Sequence, residues 1–214
     1  MKPLFYILMT AALAAWIWKR KSLPSPVGAF AVLVGMAIGV QAWLDLVAQP
    51  RDWIGLLHLY QLLAIPWLAW YFLKTLHAPP AKAFLKVLAV LFYTVTALYY
   101  HYHPEVWHQT FIPEQAFLGL FVILGTLFLF YQLYMDDQVL SLTRSPHFWL
   151  GLGNLIFYTG YIFSLGSYRY IDQILGEHEL ARSFLSITHY LNIFLYSMYA
   201  TAFLCRRNTN LSSS

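Results

Sequence analysis

The stretch Gln115-Ala-Phe-Leu-Gly-Leu-Phe-Val-Ile-Leu-Gly-Thr-Leu-Phe-Leu-Phe-Tyr-Gln-Leu-Tyr134 decides the class of fold. No charged residue stands between Glu114 and Asp136. A helix needs about 20 mostly apolar residues to cross roughly 30 Å of bilayer hydrocarbon, and this one has that length. Working outward, six further stretches repeat the pattern, so the predicted spans are 3–18, 27–48, 54–73, 83–102, 115–134, 147–167 and 184–204.

Composition agrees. The chain has 214 residues, 60% hydrophobic, 19% aromatic and only 10% charged, with a mean hydropathy of +0.57. A water-soluble surface usually requires about 25% charged residues, and a lipid-facing surface removes that requirement. The 8 Trp and 16 Tyr favour the membrane interface, where a ring is half wet. The expected fold is an all-α membrane protein, a single seven-transmembrane helical bundle over 1–205 with a short polar cytoplasmic tail over 206–214. The first span has the length of a signal peptide. However, Lys19, Arg20 and Lys21 follow it directly, where a leader would carry a small-residue cleavage region. A retained anchor is the expectation.

Orientation follows from the connections. Lys19, Arg20, Lys21, Lys74, Lys82, Lys86, Arg144, Arg206 and Arg207 fall on one side, nine of the 13 basic residues. Lys2, Arg51, Arg169 and Arg182 fall on the other. Seven of the nine acids, Asp45, Asp52, Glu105, Glu114, Asp172, Glu177 and Glu179, share that second side. The positive-inside rule then predicts an N-terminus outside and a C-terminus in the cytoplasm. Basic residues at segment ends read as topology, not as a nucleic-acid patch. A single cysteine, Cys205, allows no internal disulfide and no cysteine metal cluster.

Polar groups inside a span are costly unless paired or facing a cavity, so function is sought there first. Gln41 and Asp45 lie four apart in the second span, His58 and Gln61 three apart in the third, and His189 and Asn192 three apart in the seventh. Each spacing puts the pair on one helix face. Every pair sits within about two turns of its span's outer end, counted at 1.5 Å per residue. Glu114 and Gln115 open the fifth span at a similar level. The expected ligand pocket therefore comprises Gln41, Asp45, His58, Gln61, Glu114, His189 and Asn192, open to the outside. Two other readings stand beside it. The same residues serve as hydrogen-bonding glue between helices, or His58 and His189 bind haem as paired ligands at matching depth.

A second cluster, Tyr99, Tyr100, His101, Tyr102, His103, Glu105 and His108, ends the fourth span. His101, His103 and His108 offer imidazoles for zinc, copper or iron, if Pro104 ends the helix so that they converge. The alternative is an aromatic belt facing headgroups. Elsewhere, Ser145-Pro146 reads as a helix start, with Ser as cap and Pro first in the helix. The loop Met135–His147 carries two acids within reach of Arg144 or a partner protein. Gly35 and Gly39, four apart, are expected to admit close helix packing. The connection Tyr168-Arg-Tyr-Ile-Asp-Gln-Ile-Leu-Gly-Glu-His-Glu-Leu-Ala-Arg182 mixes apolar and charged residues, as a short surface helix does.

Known membrane and catalytic signatures are missing. The last span has no lysine for a retinal Schiff base, and no receptor Asp-Arg-Tyr or Asn-Pro-x-x-Tyr occurs. There is no Walker motif, no His-Glu-x-x-His and no Gly-x-Ser-x-Gly, so no catalytic residue is assigned and the reading leans away from an enzyme.

Four features carry a resemblance over most of the chain. They are Lys19-Arg20-Lys21-Ser22-Leu23-Pro24, His58-Leu59-Tyr60, Ser145-Pro146-His147-Phe148-Trp149 and Leu155-Ile156-Phe157-Tyr158-Thr159-Gly160. With these the sequence resembles an uncharacterised family of multi-pass inner-membrane proteins from Bacteroidetes. Members carry a Pro-x-Glu shortly after the His-x-Tyr, and Gln61 to Pro66 has no acid here. The resemblance therefore implies topology and a bacterial inner-membrane location, and no activity.

The expected function is a receptor-like or sensory module. It would bind a small or lipidic ligand in the outer pocket and act through a membrane or cytoplasmic protein partner. Its setting is the lipid bilayer, and nucleic acid is not a partner. A membrane redox protein holding haem or a metal, and a structural or assembly subunit, are the competing classes.

Overall fold

The computed structural model describes residues 2–46, 52–103, 112–135 and 142–205. Within them the secondary structure is helical, with no strand. The long helices are α1 (Lys2–Lys19), α2 (Gly28–Leu46), α3 (Asp52–Thr75), α4 (Pro79–Tyr102), α5 (Ile112–Met135), α6 (Pro146–Tyr170) and α7 (His178–Leu204). Five segments are long and apolar enough to cross a membrane: Ser25–Trp43, Gly55–Thr75, Pro79–Tyr102, Pro113–Met135 and Pro146–Leu175. These give the molecule the dimensions of a multi-pass membrane protein. Of the remaining two helices, α1 is apolar but short. The apolar run of α7 is diluted by Thr188, His189, Asn192, Ser197 and its tyrosines.

Contacts between neighbours alternate in direction. At one end, the start of α1 meets the end of α2 through Tyr6 and Asp45, and the end of α6 meets the start of α7 through Ser164 and the Phe184 carbonyl. At the other end, Tyr71 near the end of α3 reaches His147 at the start of α6, 2.9 Å away. Gln132 of α5 spans the end of α3, accepting from the His77 N–H at 2.6 Å and donating to the Thr75 carbonyl at 3.2 Å. Such groups at a helix end have no partner within the helix, and a neighbour's side chain supplies one here. Consecutive helices thus alternate in direction, and α1, α2, α3, α5, α6 and α7 form a ring in which α3 and α5, and α7 and α1, are parallel neighbours. Helix α4 packs outside the ring against α3 and α5.

Aromatic rings fill the middle. Phe30 of α2 lies edge-on to Tyr71 of α3 at 4.6 Å and to Tyr199 of α7 at 5.1 Å. Close approach between helices is made by glycines of α5 and α6. A Cβ on Gly125 would stand 2.6 Å from the Phe72 ring, and one on Gly153 would stand 2.9 Å from Met198 Cβ. The expectation that Gly35 and Gly39 serve this role is corrected, since nothing lies within 4 Å of a Cβ built at either. The hydropathy pattern marks small residues but not which helix face meets a neighbour.

Pro66 sits inside α3 and has no N–H for the carbonyl of Leu62. That carbonyl accepts instead from the Tyr93 hydroxyl of α4 at 2.6 Å. In a lipid environment a freed backbone group must be satisfied by a neighbour, and this bond is one reason α4 docks where it does.

Two boundaries differ from the sequence reading. Helix α6 continues through a π-helical turn, Ile171–Leu175, and ends at Gly176, whose φ of 71° is left-handed. Glycine adopts that backbone without steric penalty. With α7 beginning at His178, the expected separate surface helix over 168–183 is replaced by the ends of two long helices, linked by an Asp172–His178 contact of 2.7 Å. Ser145 does hold the cap position before Pro146, but its side chain makes no capping hydrogen bond. Arg51, residues 104–111 with Glu105 and His108, residues 136–141 of the acidic loop, and the tail 206–214 lie outside the described residues.

Candidate functional site

Three helix ends bring a histidine, a carboxylate and a phenol together. His58 lies six residues into α3, Tyr100 two residues before the end of α4, and Glu114 in the first turn of α5. The His58 imidazole is 1% exposed and the Glu114 side chain 0%. His58 Nδ1 lies 2.5 Å from Glu114 Oε2. The Tyr100 hydroxyl donates to the same oxygen at 2.8 Å and lies 2.9 Å from His58 Nδ1. Its ring stands edge-on to the imidazole at 5.6 Å. Two donors therefore converge on Oε2, while Glu114 Oε1 is buried with no hydrogen-bond partner.

Gln61, one turn further along α3, is also buried, and its Oε1 likewise has no partner. On the next residue of α5, Gln115 accepts from the Tyr161 hydroxyl of α6 at 2.9 Å. The polar centre thus reaches from α3 and α4 across α5 to α6. Its electrostatics are unusual for a membrane interior. A buried carboxylate is tolerated when paired and fully hydrogen-bonded, and here one of its oxygens is left over.

A cavity of ≈ 80 Å³ lies in the ring between α2, α3, α6 and α7. Its polar lining is Tyr60, Tyr158, Asn192, Tyr196 and Tyr199. Such a volume admits a few waters or a few ligand atoms. Tyr199, one of these lining residues, donates to Asn154 Oδ1 of α6 at 2.6 Å, both side chains buried.

Comparison with protein families, with curated proteins and with solved structures finds no match.

The seven residues expected to line one outer pocket are distributed over several places. His58, Gln61 and Glu114 are buried in the polar centre. Asp45 is on the exposed end of α2 and accepts from the Tyr6 hydroxyl at 2.5 Å, with Gln41 one turn earlier and partly buried. Asn192 lines the central cavity and donates to the Thr188 carbonyl at 2.9 Å. His189 is exposed on α7. A haem held by His58 and His189 requires both rings on one cavity, whereas His58 is enclosed by α4 and α5 and His189 faces outward. Of the expected metal ligands, His101 and His103 are exposed at the end of α4, and the His103 ring packs on Tyr99 at 4.8 Å. His108 lies outside the described residues. Among the described residues, no group of three or more His, Cys, Asp or Glu is placed to hold a metal ion.

Several participants were not singled out as site residues in the sequence. Tyr100 reads as part of an interfacial belt, yet it closes the His58–Glu114 pair. Tyr60, Tyr158, Tyr161, Tyr196 and Tyr199 read as membrane aromatics, yet four line the cavity and Tyr161 holds Gln115. The signal that points to them is spacing. Tyr158 and Tyr161, and Tyr196 and Tyr199, stand three apart on one helix face.

Proposed function

We propose that the chain is a sensory or receptor-like module of the bacterial inner membrane. In this reading it has seven spans, with the N-terminus outside and the C-terminus in the cytoplasm. A small or lipidic ligand binds at the bundle end where His58, Glu114, Tyr100 and Gln61 meet, and a separate membrane or cytoplasmic protein reads the response. The resemblance to the Bacteroidetes family and the nine-to-four division of basic residues support this location and orientation.

The single observation that carries the ligand reading is a buried polar centre left incomplete. Holding His58 and Glu114 away from water costs several kcal/mol per ion in general. A purely structural pair gains by satisfying every oxygen, and Glu114 Oε1 and Gln61 Oε1 are both without donors. A separate tyrosine-lined cavity within the ring supplies further polar volume. A ligand drawing on α3, α4 and α5 together would shift how peripheral α4 packs on the ring, which gives a partner protein something to read.

The test is chemical. Protein purified from its native membrane is extracted, and bound small molecules are quantified by mass spectrometry. The wild type should carry a near-stoichiometric species that is absent from the His58→Leu/Glu114→Leu double variant. Equal content in both proteins would exclude the site as the binding place.

A further inference from the structure

We propose that the ligand of this centre presents a primary ammonium group, offered either by a phosphatidylethanolamine headgroup or by a free amine. The inference rests on reading the His58–Glu114 cluster as a ligand site and adds the chemistry of what fits it.

What the protein leaves unmatched is acceptors. Glu114 is acceptor-only when ionised, and the donors that reach it, His58 Nδ1–H and Tyr100 O–H, both converge on Oε2. Glu114 Oε1 and Gln61 Oε1 are buried and unpartnered. A ligand group completing either of them must donate a hydrogen bond.

Charge narrows the class further. Among the described residues no lysine or arginine pairs with Glu114, and its ion-pair partner is His58. When the imidazole is neutral and donates through Nδ1, no described residue supplies the buried carboxylate with a counter-ion. A primary ammonium brings one positive charge and three N–H donors. A hydroxyl brings a donor without charge, and a quaternary ammonium brings charge without donors.

Depth and access agree with a headgroup. His58 lies about 9 Å from the start of α3, at 1.5 Å per residue, which places the centre near the level where lipid headgroups meet hydrocarbon. Tyr100, on α4, is the one partly buried member of the centre.

The experiment uses the purified full chain in nanodiscs. In phosphatidylcholine discs, wild type is titrated with methylammonium chloride and separately with tetramethylammonium chloride. In a second arm without added amine, discs of phosphatidylethanolamine are compared with discs of phosphatidylcholine at equal anionic-lipid content. A donor-bearing ligand should raise the unfolding midpoint saturably by about 2–4 °C, and tetramethylammonium should not. The rise should vanish in Gln61→Leu and in Glu114→Gln, and if Glu114→Gln fails to fold, Gln61→Leu decides alone. A rise in the phosphatidylethanolamine discs identifies the headgroup as the source, and a rise with methylammonium only identifies a free amine. No rise in either arm, equal rises with both ammonium salts, or an undiminished rise in Gln61→Leu overturns the proposal. A co-purifying species without an N–H donor, lost in His58→Leu/Glu114→Leu, would overturn the ammonium assignment and leave the ligand site standing.

Discussion

Two buried groups show how single residues hold this bundle. The Leu62 carbonyl is freed by Pro66 and taken up by Tyr93. Tyr93→Phe leaves the carbonyl unsatisfied and is expected to lower stability by about 1–3 kcal/mol. In a Pro66→Ala background the helix can supply its own N–H, so the same substitution should cost clearly less. Thermal unfolding of the four proteins in detergent measures that difference, and equal losses in both backgrounds would refute the link. The His58–Glu114 pair obeys a similar logic. Glu114→Leu takes the carboxylate away from a buried imidazole and should destabilise by about 3–5 kcal/mol, whereas His58→Leu/Glu114→Leu removes both polar groups and should recover part of that loss. A double variant less stable than either single one would contradict this. These cases also define what can be read from sequence at this scale. His58, Gln61 and Glu114 were legible because charged or amide side chains in an apolar run are conspicuous. Tyr93, Tyr100 and Tyr199 were not, because a tyrosine suits a lipid interface and a buried hydrogen bond equally well.

At the scale of helices, hydropathy locates each element but leaves its ends and faces open. The ends of α3, α6 and α7 extend past the apolar runs because backbone hydrogen bonding continues into residues such as Asp52, Arg169 and Glu179 that solvent or headgroups tolerate. Faces depend on which neighbour arrives, which is a property of the assembled ring. Glycines make the point measurable. Gly125 of α5 lies against the fully buried Phe72 ring, and Gly153 of α6 lies against the Cβ of Met198, an atom that cannot move without its backbone. Gly125→Ala and Gly153→Ala are each expected to cost about 1–3 kcal/mol through overpacking. Gly35→Ala and Gly39→Ala meet open space and should be neutral or stabilise by up to about 1 kcal/mol through helix propensity. The yield of monodisperse protein after heating separates the two sets. A loss at Gly39 matching that at Gly125 would show that the α2 face is covered by something in the membrane.

The whole molecule is an alternation of antiparallel helices, and that geometry makes orientation a question with few answers. Tyr6 and Asp45, His58 with Tyr100 and Glu114, and Ser164 with Phe184 all gather at one end, while Gln132 with His77 and Tyr71 with His147 gather at the other. If the seven-span reading is right, Cys205 belongs to the basic, cytoplasmic end. It is the one cysteine of the chain, so it reports topology without engineering. A membrane-impermeant maleimide added to intact spheroplasts should leave the wild type unlabelled, and permeabilisation should expose Cys205. In a Cys205→Ser background, Tyr102→Cys and Ile174→Cys replace residues that are 72% and 68% exposed at the opposite end, and both should label from outside. Leu142→Cys, at the Cys205 end, should not. The thiol chemistry adds an internal check. Partial burial pushes the Cys205 thiol up from its usual range, and the thiolate is the reactive form. The thiol is therefore mostly protonated at pH 7, and labelling after permeabilisation should quicken as pH is raised towards 9. Labelling of Cys205 in intact spheroplasts, with Tyr102→Cys protected, would invert the orientation and place the His58–Glu114 centre at the cytoplasmic face.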